Sequence, residues 1–530
     1  MHPLAHLDHR YVWHPFTQMR DWLKREPIVI VRGHGAELQD ARGRAYLDAN
    51  SSIWTNLHGH SHPGINRAIR KQLERISHSS TLGLANEPAA LLAEKLVSTA
   101  NPTDLNLNWS GVRPTEHREA AIRTPHLKIQ PPLAKVFFSD DGSTALEVAL
   151  KLAFEYSRRT GRAARPEFLS LEGSYHGDTI GAVSLGHIDL FHKAYAPLLF
   201  KTDKVMAPYC YRCPYNRARP DRADARSYRK CNWECLDRLE NKFQVKKTKG
   251  ARYCGFVFEP LIQGAAGMIP QPQGWLTRAS EIAGSYGALL IADEVMTGFG
   301  RTGCRTNGPG TDAAPKRNTL NSRRQQGSGS ILTPRRRTSD GLVSHLFACH
   351  QEAVQPDLMA LAKGLTGGYV PMAATLTTQA IFDVFLGEYE EFKTFFHGHS
   401  FTGNQIGAAA ALASLGLLET SASIASRRRL EQGLTKELAS LWQYPQVGDI
   451  RQVGLIAGVE LVKDWRTREP FDLRDRAGIR VCDAMARRGV LTRPVGNVIV
   501  LMPPYCTTPT QVRRMVTVLS QSIGEVFEGL

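Results

Sequence analysis

The sequence predicts an α/β protein with a large unit around a mostly parallel sheet and a smaller α+β unit assembled from both chain ends. From residue 135 onward, short apolar runs alternate with helical stretches, the rhythm of strands buried beneath crossover helices. After about residue 405 that rhythm gives way to two long helices and a strand–helix–strand tail. The 530 residues, 42% hydrophobic and 22% charged, suffice for a sizeable core divided over two units. The expected divisions are 1–63, the N-terminal part of the smaller unit; 64–400, the large unit; and 401–530, the rest of the smaller one.

Residues 28–48 read as a small meander, with strands over Ile28–Val31, from Glu37, and over Ala45–Leu47, and turns at Gly33–Gly35 and Asp40–Gly43. Helical spacing marks 64–78 and 87–99; in the second, Ala89, Leu92 and Leu96 share a face and Pro88 suits the first turn. Strands follow over Lys135–Phe138, Glu167–Leu171, Tyr253–Glu259, Ala288–Ala292 and Leu358–Ala362, with a helix over Thr144–Tyr156. Helices over Ile406–Glu419 and Ser423–Tyr444 open the tail. Two stretches, 104–132 and 304–345, lack amphipathic period and are long for loops in a compact unit, so they read as disordered or spurious insertions. The region 208–250 reads as a cysteine-containing excursion.

A formal charge of +16 raises the question of an acidic partner. The excess is concentrated: Cys304–His345 holds eight Lys/Arg against two Asp, a surplus of +6, in a non-periodic Gly/Ser/Arg-rich run. That distribution argues against a nucleic-acid face. Nine scattered cysteines, an odd number, indicate reduced thiols rather than a disulfide framework. There is no run of 18 apolar residues, and the N-terminus has no apolar signal core, so neither a membrane span nor a leader is expected. The cytoplasm is the expected compartment, with the mitochondrial matrix as the alternative.

The residues that carry chemistry sit at strand ends. Asp293, at the end of a buried strand, is placed to pair with a protonated pyridine nitrogen or to cap a helix. Lys363 follows an apolar strand and precedes a glycine-rich turn, which lets a ligand approach closely; a desolvated lysine there is a nucleophile toward an aldehyde and a proton carrier, whereas a surface lysine is inert. Gly142-Ser143 at a helix start reads as a phosphate cradle or as ordinary capping. Tyr175, in Ser174-Tyr175-His176-Gly177-Asp178, stacks on a flat heterocycle or packs in a turn. Thr402 donates to a phosphate or caps the following helix.

Taken in chain order, Gly142-Ser143, Tyr175-His176-Gly177-Asp178, Asp293-Glu294-Val295, Lys363 and Thr402, the five motifs resemble the class III (ω-type) aminotransferases of the fold-type I pyridoxal-phosphate superfamily, over nearly the whole chain except the two odd stretches. The resemblance implies pyridoxal 5'-phosphate as cofactor, with Lys363 as Schiff-base lysine, Asp293 as partner of the pyridine nitrogen, Tyr175 on the ring, and Gly142 and Ser143 at the phosphate. Thr402 would reach the phosphate of the other subunit, which implies a homodimer with shared active sites. Glu259 is similar to a family acid near the cofactor. The segments Tyr11–Met19, Ser51–His60 and Leu491–Asn497 are similar to those of the biotin-pathway members, which aminate 8-amino-7-oxononanoate. That implies Arg493 at the substrate carboxylate, Trp54 along its methylene chain and Phe16 as a further substrate-binding ring, which lacks the hydroxyl of the Tyr that some members carry there. The amino donor implied is S-adenosylmethionine, with lysine as the alternative. Arg301 reads as structural or at the site edge.

Three other readings compete. One is another ω-aminotransferase, acting on ornithine, 4-aminobutyrate or a diamine. A second is a zinc-dependent nucleic-acid binder, because Cys210-x2-Cys213 and Cys231-x3-Cys235 have ligand-like spacing; four free thiols in a surface excursion are the plain alternative. The third is a product inactivated by the stretches 104–132 and 304–345.

Overall fold

A computed structural model describes residues 1–102, 131–162, 166–218, 229–303 and 345–528. The expectations for 104–132 and 304–345 therefore lie outside the described residues, apart from 131–132 and 345.

The large unit is built on a seven-stranded sheet, in the spatial order Leu133–Ser139, Ala373–Thr378, Leu358–Leu361, Leu289–Asp293, Tyr253–Phe258, Glu167–Leu171, Asp203–Val205. Ala373–Thr378 runs antiparallel to both neighbours, and the other pairings are parallel. Side-chain alternation explains why these runs read as continuously apolar. Leu290, Ala292, Met359 and Leu361 enter one core cluster, while Leu289, Ile291, Leu358 and Ala360 enter the other. Both faces of the sheet are covered, so each strand needs apolar residues at every position. Gly142–Arg159 lies against one face, and Trp275–Ser285 packs against Leu289–Asp293.

The two chain ends meet as expected. Ile30–His34, Glu37–Asp40 and Ala45–Asp48 form an antiparallel meander, and Val490–Leu491 pairs in parallel with Ala45–Asp48. Val447–Val453, Ile456–Asp464, Val498–Leu501 and Pro494–Val495 make a second small sheet. The helix Gln405–Leu418 packs on Pro63–Leu73 and Glu87–Ala100.

Element ends differ from expectation where local chemistry competes. The first helix of the large unit stops at Leu73, short of the Ser77–Ser80 run, whose side chains favour caps and turns. The helix from Ser421 ends at Leu438 and tightens into a 3-10 turn, Ala439–Gln443, because Tyr444 precedes a proline. Thr402 does not cap the helix behind it. Asn404 does, accepting from the Gly407 amide (2.9 Å).

Candidate active site

Four parallel-running strands end at one edge of the sheet, and their ends line a cavity of about 430 Å³. Asp293 is the last residue of its strand, Glu259 follows Phe258, Tyr175 lies on the turn after Leu171, and Lys363 follows Leu361 by two positions. Gly142 and Ser143 start the helix behind Ser139 and line the same cavity, with Trp54 on the opposite wall. Ligands of open α/β sheets bind at this edge, where no strand continues and side chains from several loops converge.

Asp293 is buried, and its Oδ2 accepts from His176 Nδ1 at 2.7 Å. A carboxylate only accepts, so the imidazole proton sits on Nδ1; His176 Nε2 is buried with no partner among the described residues. Asp293 Oδ1 takes the Val295 amide (3.1 Å). The carboxylate is therefore held from two sides, by the imidazole and by the backbone amide two residues on.

Burial lowers the Lys363 amine below the ordinary lysine range, with Asp293 and Glu259 opposing the shift. Its Nζ lies 5.2 Å from the centre of the Trp54 ring. Burial pushes the Glu259 carboxyl up to about 7, against the charge of His176. Glu259 accepts from the Tyr175 amide (3.2 Å) and the Gly264 amide (2.8 Å), joining two loops of the cavity wall. The Tyr175 phenol donates to Asp178 Oδ2 (2.6 Å), which fixes its ring. Burial, with Asp178 beside it, raises that phenol.

The cavity wall is tight at two glycines. A Cβ on Gly142 would lie 2.7 Å from Val295 Cγ1, and one on Gly177, at φ 125°, would lie 2.1 Å from Ser143 Oγ. Backbone thus reaches the helix start where side chains cannot, as an anion cradle requires. Several non-glycine residues around the cavity have positive φ: Trp54 (68°), Leu261 (66°), Met268 (55°), Phe299 (62°) and Lys363 (43°). Each costs roughly 1–2 kcal/mol, a strain that packed surroundings must hold.

The glycines after Lys363 have a role other than the one expected. A Cβ on Gly364 would meet Leu57 (3.0 Å), on Gly367 His58 (3.0 Å), and on Gly368 the Asn56 backbone (2.8 Å). They admit the 55–58 segment of the chain rather than a ligand, although Gly368 also lines the cavity.

Lys363, Asp293, Tyr175, Gly142, Ser143, Glu259 and Trp54 are thus brought together. Phe16, Thr402 and Arg493 are not among the lining residues of this chain's cavity. Phe16 is exposed and packs edge-on against Phe191 (5.3 Å), which in turn meets the edge of Tyr175 (6.3 Å). Arg493 is exposed, and the Thr402 hydroxyl accepts from the His399 amide (3.0 Å). Arg301 is structural: it is buried, and its guanidinium donates to the carbonyls of Pro503 (2.8 Å) and Asn56 (3.0 Å). Sequence reasoning assigned no role to His176, or to Tyr369, which lines the cavity and whose phenol donates to the Gly59 carbonyl (3.1 Å). His176 had a signal, its place beside Tyr175; Tyr369 had none. Cys210, Cys213 and Cys231 are half-buried and Cys235 is buried, all with free thiols. Among the described residues, no group of three or more His, Cys, Asp or Glu side chains is arranged to hold a metal ion.

Comparison with known proteins agrees with this geometry. The class III aminotransferase family model matches residues 19–308 and 340–523. The chain belongs to the class III aminotransferases. The match runs through the first odd stretch and breaks within the second. A relative from Geobacter sulfurreducens, named adenosylmethionine-8-amino-7-oxononanoate aminotransferase, is 42% identical over 98% of this chain and 97% of its own length. One of the same name from Anoxybacillus flavithermus is 41% identical over 98% and 96%. The crystal structure of the Methanocaldococcus jannaschii protein of that name superimposes with TM-score 0.78 at 35% identity, covering 98% of each chain. An amine transaminase from an uncultivated Pseudomonas species, solved in its PLP-bound form, gives TM-score 0.77 at 29% identity over 97% and 98%. The donor set of this aminotransferase fits the group bound there: an amine, a buried carboxylate, an aromatic face and a glycine-lined helix start converge on one cavity.

Proposed function

We propose that this aminotransferase moves an amino group onto the ketone of 8-amino-7-oxononanoate, giving 7,8-diaminononanoate for biotin biosynthesis, with S-adenosylmethionine as donor and lysine as the alternative. The observation that carries this reading is the series of relatives of that name, 37–42% identical over 98% or more of the chain. An aromatic wall at Trp54 beside the Lys363 amine suits a long methylene chain ending in a ketone.

Bound pyridoxal phosphate supplies an electron sink and a carbonyl carbon that carries nitrogen between donor and acceptor. Lys363 holds it through its amine, Asp293 at the ring nitrogen, Tyr175 on the ring face, and Gly142 and Ser143 at the phosphate. Burial lowers the basicity of Lys363, so its Nζ would be the group that takes the proton from the donor's α-carbon and gives it back to the carbon on the other side of the transferred nitrogen. His176 keeps Asp293 turned toward the ring. Arg493 takes the acceptor's carboxylate, and Phe16 supports the edge of Tyr175 through Phe191.

The working unit is a homodimer in which Thr402 serves the partner's phosphate site. Its support is a surface where exposed Leu82, Leu84 and Phe401 are drawn together by the bonds from Thr81 to the Thr402 carbonyl and from Asn86 to the Gly403 carbonyl. Free thiols at the described cysteines suit the reducing cytoplasm. No single described helix is long and apolar enough to cross a membrane.

The test is a coupled assay with 8-amino-7-oxononanoate against 4-aminobutyrate, ornithine and a diamine. Preference for the first supports the reading, and preference for any other overturns it. The Lys363→Ala protein must also lose borohydride-fixable cofactor.

A further inference from the structure

The wall that carries Trp54 is made in an unusual way. Ser51 (φ 47°), Ser52 (47°), Ile53 (64°) and Trp54 (68°) form one left-handed turn without a glycine. Such a run is strained, since each Cβ crowds its own backbone, and it closes on backbone bonds from the Trp54 amide to the Asn50 carbonyl (2.9 Å) and from the Thr55 amide to the Ser51 carbonyl (3.0 Å). Beside the Ser51 hydroxyl bond to the Met502 carbonyl (2.6 Å), its side-chain restraints converge on Asp48, the last residue of the strand Ala45–Asp48. Asp48 is buried; its Oδ1 accepts from the Ser52 amide (2.9 Å) and the Asn50 amide (3.3 Å), and its Oδ2 from the Ser52 hydroxyl (2.8 Å). The fourth donor is His60 Nε2 (3.0 Å). His60 Nδ1 meets the Asn56 side-chain amide at 3.0 Å, so it accepts there and the ring proton sits on Nε2, toward Asp48. Asn50 completes the device: its amide is tied to Asp48, and its Oδ1 takes the indole N–H of Trp54 (2.8 Å). On the far side, the backbone of Asn56 closes against Gly368, behind Lys363.

We infer that Asp48 is a positioning residue for substrate selection: it pins the left-handed Ser51–Trp54 turn, and through Asn50 the indole, so that Trp54 stands beside the Lys363 amine in the cavity. Asp48 does not itself line the cavity. The Asp48 carboxylate is the common acceptor for both ends of this device, and its amide analogue cannot accept at both oxygens. Removing its charge therefore releases Trp54 while leaving the groups at Lys363 and Asp293 in place. The consequence for the substrate rests on the reading that a long acceptor lies along Trp54; the placement of the indole does not.

The experiment uses full-length Asp48→Asn, Trp54→Phe and the double variant. The first readout, the Trp54 contribution to near-ultraviolet circular dichroism, is the difference between wild type and Trp54→Phe. It requires neither substrate nor cofactor, so failure of the transamination reading leaves it intact. That contribution should vanish in the Asp48→Asn protein; its persistence overturns the inference. The second readout is kcat and KM for 8-amino-7-oxononanoate and for a short keto acid. Asp48→Asn should raise KM for the long acceptor about tenfold with little change for the short one, and the double variant should be no worse than the worse single variant. Effects that multiply, or an equal loss on both acceptors, overturn it. Should Asp48→Asn fold poorly, Ser52→Ala removes only the 2.8 Å hydroxyl bond and should move both readouts in the same direction by a smaller amount; no movement in either overturns the inference as well.

Discussion

Replacing Gly177 by alanine tests whether the helix start at Gly142-Ser143 is built to be approached by backbone. Gly177 has φ 125°, a region closed to L side chains, and a Cβ there would lie 2.1 Å from Ser143 Oγ, 2.6 Å from its Cβ and 2.7 Å from its Cα. The last of these is backbone at the second residue of the helix, so the overlap is not relieved by a rotamer change. The left-handed penalty is roughly 1–2 kcal/mol, and overpacking against a fixed neighbour adds about 1–3 kcal/mol. Gly161 is the matched control, with φ 67° and nothing within 4 Å of the point where a Cβ would stand, so its alanine variant carries the first penalty alone. Gly177→Ala should therefore lose about 2–5 kcal/mol in total. Much of the loss should appear as weakened cofactor binding, because the displaced groups are those proposed to cradle the phosphate. Absorbance titration of cofactor-stripped protein measures that directly, and thermal melts with and without cofactor separate it from global stability. If both alanine variants melt alike and bind cofactor like the wild type, the phosphate cradle lies elsewhere.

Three further outcomes follow from the site. His176→Phe removes the Nδ1–H donor 2.7 Å from Asp293 Oδ2, a charge-assisted bond of about 1.5–3 kcal/mol, so cofactor affinity should fall roughly tenfold to a hundredfold by the same titration. Glu259→Gln should flatten a pH dependence of stability in the cofactor-free protein. Burial raises the carboxyl from 4.5 to about 7, so its stabilising neutral form is fully present below 4.5 and lost as pH rises through 7, on the order of 3 kcal/mol in all; melting temperature across that range reads it. Arg301→Met leaves the carbonyls of Pro503 and Asn56 without their donors in a buried site and should destabilise by about 2–4 kcal/mol in denaturant titration, a loss that added substrate does not restore.

The strand-end residues of the site were legible because one physical rule places them. A strand buried on both faces is a run of apolar residues, and the polar residue that breaks the run lies at the sheet's edge; Asp293 and Lys363 both satisfy it. The helix start at Gly142 was legible for a similar reason, a strand followed by small polar residues. The partner of Asp293 was not, since His176 is 117 positions away and only the parallel pairing of the intervening strands brings it close. The left-handed turn at Ser51–Trp54 escaped sequence reasoning altogether, because its residues are ordinary and the groups that hold it, Asp48 and the Met502 carbonyl among them, meet it only in the fold. Gly364, Gly367 and Gly368 were read for the wrong neighbour: the space a glycine leaves is visible in a sequence, but what fills it is set by tertiary packing.

The positive-φ residues link these points. Leu261, Met268 and Phe299 are almost wholly buried, yet each adopts a backbone conformation that its side chain disfavours. A bulky apolar residue remains in such a conformation only if removing its side chain from the core costs more than the strain, and full burial is worth about 1.5–3 kcal/mol against roughly 1–2 kcal/mol of backbone cost. The core anchors the loops, and the loops carry the chemistry. Met268 packs with Met296 and Trp54, the Phe299 carbonyl takes the Tyr505 hydroxyl (2.9 Å), and Leu261 follows Glu259 by two positions. The cavity is thereby fixed by side chains that never touch a ligand. For the same reason the groups that line the cavity hold their separations, and Lys363, Asp293 and Trp54 face it already in place.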